Sequence, residues 1–229
     1  MSTSLGKNPG MTEKDWHAWH GKYDDPTSSL SRRLAVVQAR IRAALDDLAA
    51  GPVRVISVCA GQGRDLLGAL EGHPRADDVA ARLVELDPAN AEVARRLAAT
   101  AGRSGFEVVT GDASRTDAYD GAAPADLVLV CGVFGNVTDV DVEHTIQALP
   151  TLCAPRATVV WTRHRRAPDL SPSIRTWFAD AGFDELAFDS PGPGRLAVGA
   201  HRFAGEPRPL PDPPQRLFTF VGYDELLSR

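Results

Sequence analysis

Apolar residues recur along this chain in two rhythms that alternate. Leu34, Val37, Ile41, Leu45 and Leu48 are spaced by three and four, the single apolar face of an amphipathic helix. Ser28, Ser29 or Ser31 can cap its start, and Gly51 and Pro52 end it. The rhythm then changes. Val53 to Ala60 (VRVISVCA) is a nearly continuous β-rich run, the pattern of a strand buried on both faces. Further strands are predicted over Arg82–Asp87, Phe106–Asp112, Ala125–Phe134 and Ala157–His164. Between them, GQGRDLLGAL reads as turn plus helix. Helices are also predicted over Pro88–Ala101, with Val93 and Leu97 on one side, over Asp141–Leu152, and over Ser171–Ala181, closed by Gly182.

Alternating strands and helices imply an α/β fold with a parallel sheet covered on both faces. Two last strands, FDELAFDS and RLAVGAHRF, are joined by SPGPG. That link is too short for a crossover helix, so the pair should form an antiparallel hairpin. At the N-terminus, a polar stretch over 1–11 precedes a short predicted helix from Thr12 to about Lys22. At the C-terminus, a proline-rich tail (206–215) leads into RLFTFV and a final helical turn. The division expected is a helical extension or lid over 1–50 and a core over 51–229, together one domain.

Composition narrows the function classes. The 229 residues suit one domain, and 43% hydrophobic with 24% charged residues is enough to bury a core. The net charge of −5 offers no basic stripe for phosphates, so no nucleic-acid partner is expected. The local run Arg163, His164, Arg165, Arg166 is read as a solvated strand end. Cys59, Cys131 and Cys153 fit neither a zinc pattern nor a disulfide framework, so no metal is expected and the reducing cytoplasm is the default compartment. No apolar run approaches the length of a membrane span, and no signal-peptide pattern follows Met1, so no membrane partner is expected either.

Ligands of open α/β sheets bind beyond the C-terminal ends of the strands. Three tips matter: AGQGRD, ELDP and GDAS. Gly61 and Gly63 permit a tight turn and a close ligand approach, and the helix behind them offers free N–H groups to an anion. The third position of a dinucleotide fingerprint is Leu66, and no Gly-Lys-Ser/Thr follows, so neither that fingerprint nor a P-loop is present. Asp87 can accept from both hydroxyls of a ribose, or simply cap the next helix. Glu85, two residues back on the same face, is the rival acid. Asp112 can accept from an adenine amino group, or form an ordinary Asx-turn.

With these residues in view, the stretch from about Val53 to Arg202 resembles a class I S-adenosylmethionine-dependent methyltransferase. VISVCAGQGRDLL is similar to that family's glycine-rich motif, VELDPANAEVAR to its ribose motif, VVTGDAS to its adenine motif, and ADLVLVCGVFGNV to its fourth strand and following loop. The terminal hairpin matches its topology. The resemblance implies a three-layer sandwich around a seven-stranded, mostly parallel sheet with a C-terminal antiparallel hairpin. It implies adenosylmethionine as cofactor, contacted by Ala60, Gly61, Gly63, Asp87, Asp112, Ala113, Gly132 and Arg33. The methyl acceptor is expected to be a small molecule, and a homodimer is an open expectation.

Two departures stand out. Ser57 replaces the family's acid, so the donor's ammonium must be oriented from elsewhere. Cys59 replaces its first glycine, which calls for an ordinary φ there. In this family, N-terminal extensions commonly close over the cofactor. Trp16, Trp19 and Tyr23 would offer a sulfonium aromatic faces, or else staple the segment to the core. Candidate general bases are His17, His20, Tyr23 and His164, the last at a strand's C-terminal end. A DNA amino-methylating signature is absent where the chain reads CGVFGN, and there is no Pro-Cys pair. A nicotinamide oxidoreductase and a non-catalytic adenosylmethionine-binding regulator are the alternatives from other classes.

Overall fold

The computed structural model describes residues 25, 27–190 and 196–221. Helix α1 is Ser29–Asp47, and Ser28 caps it by accepting from the Ser31 N–H. It is followed by β1 (Val53–Val58), α2 (Arg64–Leu70), β2 (Val79–Glu85), α3 (Pro88–Thr100) and β3 (Phe106–Thr110). Then come β4 (Ala125–Val130), α4 (Asp139–Ala148), β5 (Cys153–His164), α5 (Ser171–Asp180), β6 (Phe183–Asp189) and β7 (Leu196–Phe203). The seven strands form one sheet in the order β3-β2-β1-β4-β5-β7-β6. The first five are parallel, and β7 runs antiparallel to both β5 and β6. The order reverses between β1 and β4, which opens a crevice at their C-terminal ends.

Period-two alternation divides the strands between two cores. Val53, Val55, Leu127, Leu129 and Val160 face α1 to α3 with Val37, Ile41, Leu45 and Leu66. Ile56, Val58, Val128, Val130 and Trp161 face α4 and α5 with Ile146, Ile174 and Phe178. Val37, Ile41 and Leu45 are buried as their spacing predicts, whereas α3 buries Ala91, Ala94 and Ala98 and leaves Leu97 exposed. Small side chains let that helix lie close to the sheet, and an apolar-spacing argument weights leucine over alanine.

Residues 29–47 are a layer of this sandwich rather than an appendage to it. Arg40 pairs bidentately with Asp189 of β6 at 2.6 and 2.7 Å. Arg75 donates to the carbonyls of Leu45, Leu48 and Gly51, satisfying the free C-terminal end of α1. The expected boundary near residue 50 therefore cuts through the packed core. The predicted helix over 12–22 and the final helical turn lie outside the described residues.

One buried titratable group should make stability pH-dependent. His201 lies in the β5–β7–α5 core, 1% exposed, with its ring stacked on Phe178 at 4.3 Å. Its Nδ1 accepts from Trp161 Nε1, and its Nε2 has no hydrogen-bond partner. Burial pushes the imidazole down to about 4, with Glu185 pulling upward and Arg175 pushing further down. The neutral form is the one the fold accepts. Stability should hold above the ordinary value near 6.5 and decline as pH falls from there through about 4, by up to about 3 kcal/mol. Denaturant melts across that range should give a flatter profile for His201→Gln, and an equal slope in both proteins would contradict this assignment.

Candidate functional site

The crevice is built first by the turn after β1. Cys59, Gly61 and Gly63 all carry positive φ, at 53°, 56° and 69°. Cys59 thus keeps the left-handed geometry of the glycine it replaces, contrary to the ordinary φ expected for it. The surrounding pairing enforces this: Ala60 donates to the Val84 carbonyl at 2.9 Å, and Gly63 donates to Ala60 at 2.9 Å. A Cβ on Gly63 would stand 2.8 Å from Leu83 Cδ2 and 3.4 Å from Leu67 Cδ1. Gly63 therefore serves close helix-to-sheet packing, and its Cβ direction leads into the core. Behind it, Gln62 and Asn90 form a buried pair at 3.1 Å that ties the loop to α3.

The start of α2 does not present an anion site. The helix has seven residues, and Asp65 already places a carboxylate in its first turn, accepting from the Leu66 N–H at 2.8 Å. Burial raises the Asp65 carboxyl, while the Leu66 N–H and the field of Arg33 pull it back. The same two charges act on the Cys131 thiol at the tip of β4, which burial pushes up. Arg33 of α1 and Cys131 thus lie within electrostatic reach of Asp65.

The two acids after β2 divide their roles. Strand β2 ends at Glu85, not at Asp87. Asp87 caps α3, accepting from Ala89 N–H at 2.8 Å and Asn90 N–H at 3.4 Å. Asp-Pro at the cap and first helical position is favourable on its own, and that local chemistry claims the side chain. Glu85 instead turns toward the glycine loop. Its Oε2 accepts from Gly61 N–H at 2.7 Å and its Oε1 from Asp87 N–H at 2.9 Å. Burial raises its carboxyl, partly offset by those two N–H groups.

Past β3, Asp112 Oδ1 accepts from both the N–H and the hydroxyl of Ser114, at 2.9 and 2.6 Å. Its Oδ2 accepts from Arg216 at 3.1 Å. Burial would raise this carboxyl, but the Ser114 bonds and the Arg216 guanidinium outweigh it and hold it below the usual range. Ala113 beside it is buried and accepts from the Tyr119 hydroxyl at 2.6 Å. Cys59 sits between these acids. Burial, then the charges of Glu85 and Asp112, hold its thiol well above its ordinary value, so it stays protonated and is no nucleophile.

The fourth wall is the loop after β4. Gly132 donates to Thr162 Oγ1 at 2.8 Å, and its carbonyl accepts from Asn136 Nδ2 at 2.6 Å. Arg163, read from sequence as part of a solvated run, is 9% exposed. It donates to the Phe134 carbonyl and pairs with Asp139 at 3.2 Å, bracing this loop. His164 ends β5 against Gly135, where a Cβ would meet its ring carbon at 3.4 Å. Its buried Nδ1 has no partner. Burial and the charges of Arg163 and Arg166 lower its imidazole, against Asp139 and Asp169.

The crevice thus brings together Ala60, Gly61, Asp112, Ala113 and Gly132, with Arg33 and His164 at its margins. Asp87 is withdrawn into its helix cap, and Gly63 faces the core. His17, His20 and Tyr23 lie outside the described residues. Sequence reasoning missed Asp65, Gln62, Asn90 and Arg216. Among the described residues, no three His, Cys, Asp or Glu side chains converge as a metal site would require. No described helix is long and apolar enough to cross a membrane.

No curated protein matches this chain. Several solved structures share its fold. An O-methyltransferase family protein from Burkholderia thailandensis is 17% identical with a TM-score of 0.63, covering 84% of this chain and 61% of its own. This chain thus spans less than two thirds of that protein. Magnesium protoporphyrin IX methyltransferase from Synechocystis PCC 6803, solved with bound SAM, is 13% identical with a TM-score of 0.63, covering 83% and 92%. The CurJ carbon methyltransferase is 13% identical with a TM-score of 0.65, covering 82% and 58%. At these identities the likeness carries the fold alone. The family model described as "Putative methyltransferase" matches residues 29–179, from the first residue of α1 into α5, and the chain belongs to that methyltransferase family.

Proposed function

We propose that the protein binds S-adenosylmethionine in this crevice and transfers its methyl group to a small-molecule acceptor. The observation that carries the reading is Glu85, whose carboxylate lies on the Gly61 N–H at the strand-order reversal. Each Glu85 oxygen accepts one backbone N–H and retains further acceptor capacity. A ribose diol would use that capacity, and Glu85 takes the role expected of Asp87. Leu86, next in sequence and 63% exposed, leaves apolar surface beside it for an adenine face. Asp112 would accept the adenine amino group.

Asp65 answers the departure at Ser57. Ser57 is 2% exposed and uncharged, whereas Asp65 is half-buried and accepts from the adjacent Leu66 N–H. Its carboxylate suits an ammonium, and Arg33, within electrostatic reach, suits a carboxylate, so the pair fits an amino-acid end. When bound, adenosylmethionine supplies a methyl carbon activated by positive sulfur. The chain's own task is to align the acceptor and exclude water, which can lower a barrier by about 7–11 kcal/mol. Where the acceptor is a hydroxyl, His164 would be the residue to take its proton, since burial and its arginine neighbours lower its imidazole and favour the neutral form.

Calorimetry with two ligands tests the orientation. Asp65→Asn should weaken adenosylhomocysteine about tenfold, the worth of a charge-assisted hydrogen bond. It should leave 5′-methylthioadenosine, which lacks the amino-acid end, unchanged. Equal losses for both ligands would remove Asp65 from the amino-acid end.

A further inference from the structure

The proline-rich tail after β7 does not leave the molecule. It runs as a strap from the residues after β3 to the loop after β4, against α4. Gln215 exchanges bonds with Thr116, accepting from its N–H at 3.0 Å and donating to its hydroxyl at 2.9 Å. Leu217 N–H donates to the Ser114 carbonyl at 2.6 Å, and Val221 N–H to the Asn136 carbonyl at 3.0 Å. Leu217 and Phe218 are 2% and 1% exposed in the α4–α5 core. Thr145 of α4 donates to the Leu217 carbonyl at 3.0 Å, and Asp141 accepts from Thr219 N–H at 3.2 Å. The strap is therefore seated by its backbone and two buried side chains, with no need of Arg216.

The Arg216 side chain does something else. Its Nη1 donates to Asp112 Oδ2 at 3.1 Å and to Ser114 Oγ at 2.6 Å. Half-exposed ion pairs of this kind contribute only about 0–1 kcal/mol to stability. The geometric effect is larger. Ser114 holds one oxygen of Asp112 and Arg216 the other, so the carboxylate plane is fixed. The acceptor capacity left on Oδ2 then points in one direction. We infer that Arg216 is a positioning residue for the donor site, aiming Asp112 at the amino group of the adenine ring. The inference rests on the donor reading above and adds to it a residue from outside the β1–β3 tips.

A double-mutant cycle on the full chain tests it, read as the dissociation constant of adenosylhomocysteine. Arg216→Ala should weaken binding about five- to tenfold in the otherwise native protein, with the melting temperature nearly unchanged. In an Asp112→Ala background the same change should do nothing further, because its target is gone. Arg216→Lys should recover part of the loss, since it keeps the charge but not the fork. Equal weakening in both backgrounds would show Arg216 acting independently of Asp112 and overturn the inference, as would native affinity in Arg216→Ala. Failure of the unmutated protein to bind adenosylhomocysteine, or native affinity in Asp112→Ala, would instead overturn the donor reading itself.

Discussion

Glu85→Ala is expected to weaken adenosylhomocysteine by roughly a hundredfold or more, and Asp87→Ala by far less. The two acids stand two residues apart, and their hydrogen bonds separate them. Glu85 reaches the Gly61 N–H at the bottom of the crevice, and two hydroxyls on its carboxylate would each be charge-assisted, worth about 1.5–3 kcal/mol apiece. Asp87 is occupied with Ala89 and Asn90. Losing it should cost about 1 kcal/mol of fold stability as a lost helix cap, with a modest affinity change through the Glu85 and Asn90 contacts. Calorimetry and thermal melts on both variants check this. A large affinity loss in Asp87→Ala with Glu85→Ala near native would reverse the assignment.

Gly63→Val should unfold or severely destabilise the protein rather than selectively remove ligand binding. At φ 69° any side chain is strained, costing about 1–2 kcal/mol. The first carbon would stand 2.8 Å from Leu83 Cδ2, and Leu83 is fully buried in the α1–α3 core. Forcing bulk into such packing costs about 1–3 kcal/mol more, and a β-branch adds to it. Together these approach the whole margin of a typical domain, about 5–15 kcal/mol. A melting temperature equal to that of the native protein would show that α2 can move off the sheet, and the packing role of Gly63 would fall.

These two outcomes mark where the sequence was legible. The five central strands, their crossover helices and the terminal hairpin follow from period-two and continuous apolar runs, as β1, β4 and β5 bear out. Strand ends were harder, because VELDP continues to look extended past Glu85 until Pro88 starts a helix. Asp87 fits a ribose pattern, favoured by its place after the glycine loop, as well as a cap pattern, and in the folded chain its bonds to the Ala89 and Asn90 N–H groups are those of the cap. Gly63 satisfied both ligand approach and helix packing in the same way. Asp65 could have been noticed as a charge in the first turn behind the glycine loop, given the vacancy of charge at Ser57. Arg216 carried no local signal, since its partner lies 104 residues earlier and only the folded strap joins them.

The structure of the protein bound to adenosylhomocysteine tests the central claim most directly. Both ribose hydroxyls should lie within hydrogen-bond distance of the Glu85 carboxylate, with the adenine amino group on Asp112 and the ammonium on Asp65. A ribose held by Asp87, or a ligand seated anywhere other than the tips of β1 to β4, would contradict it.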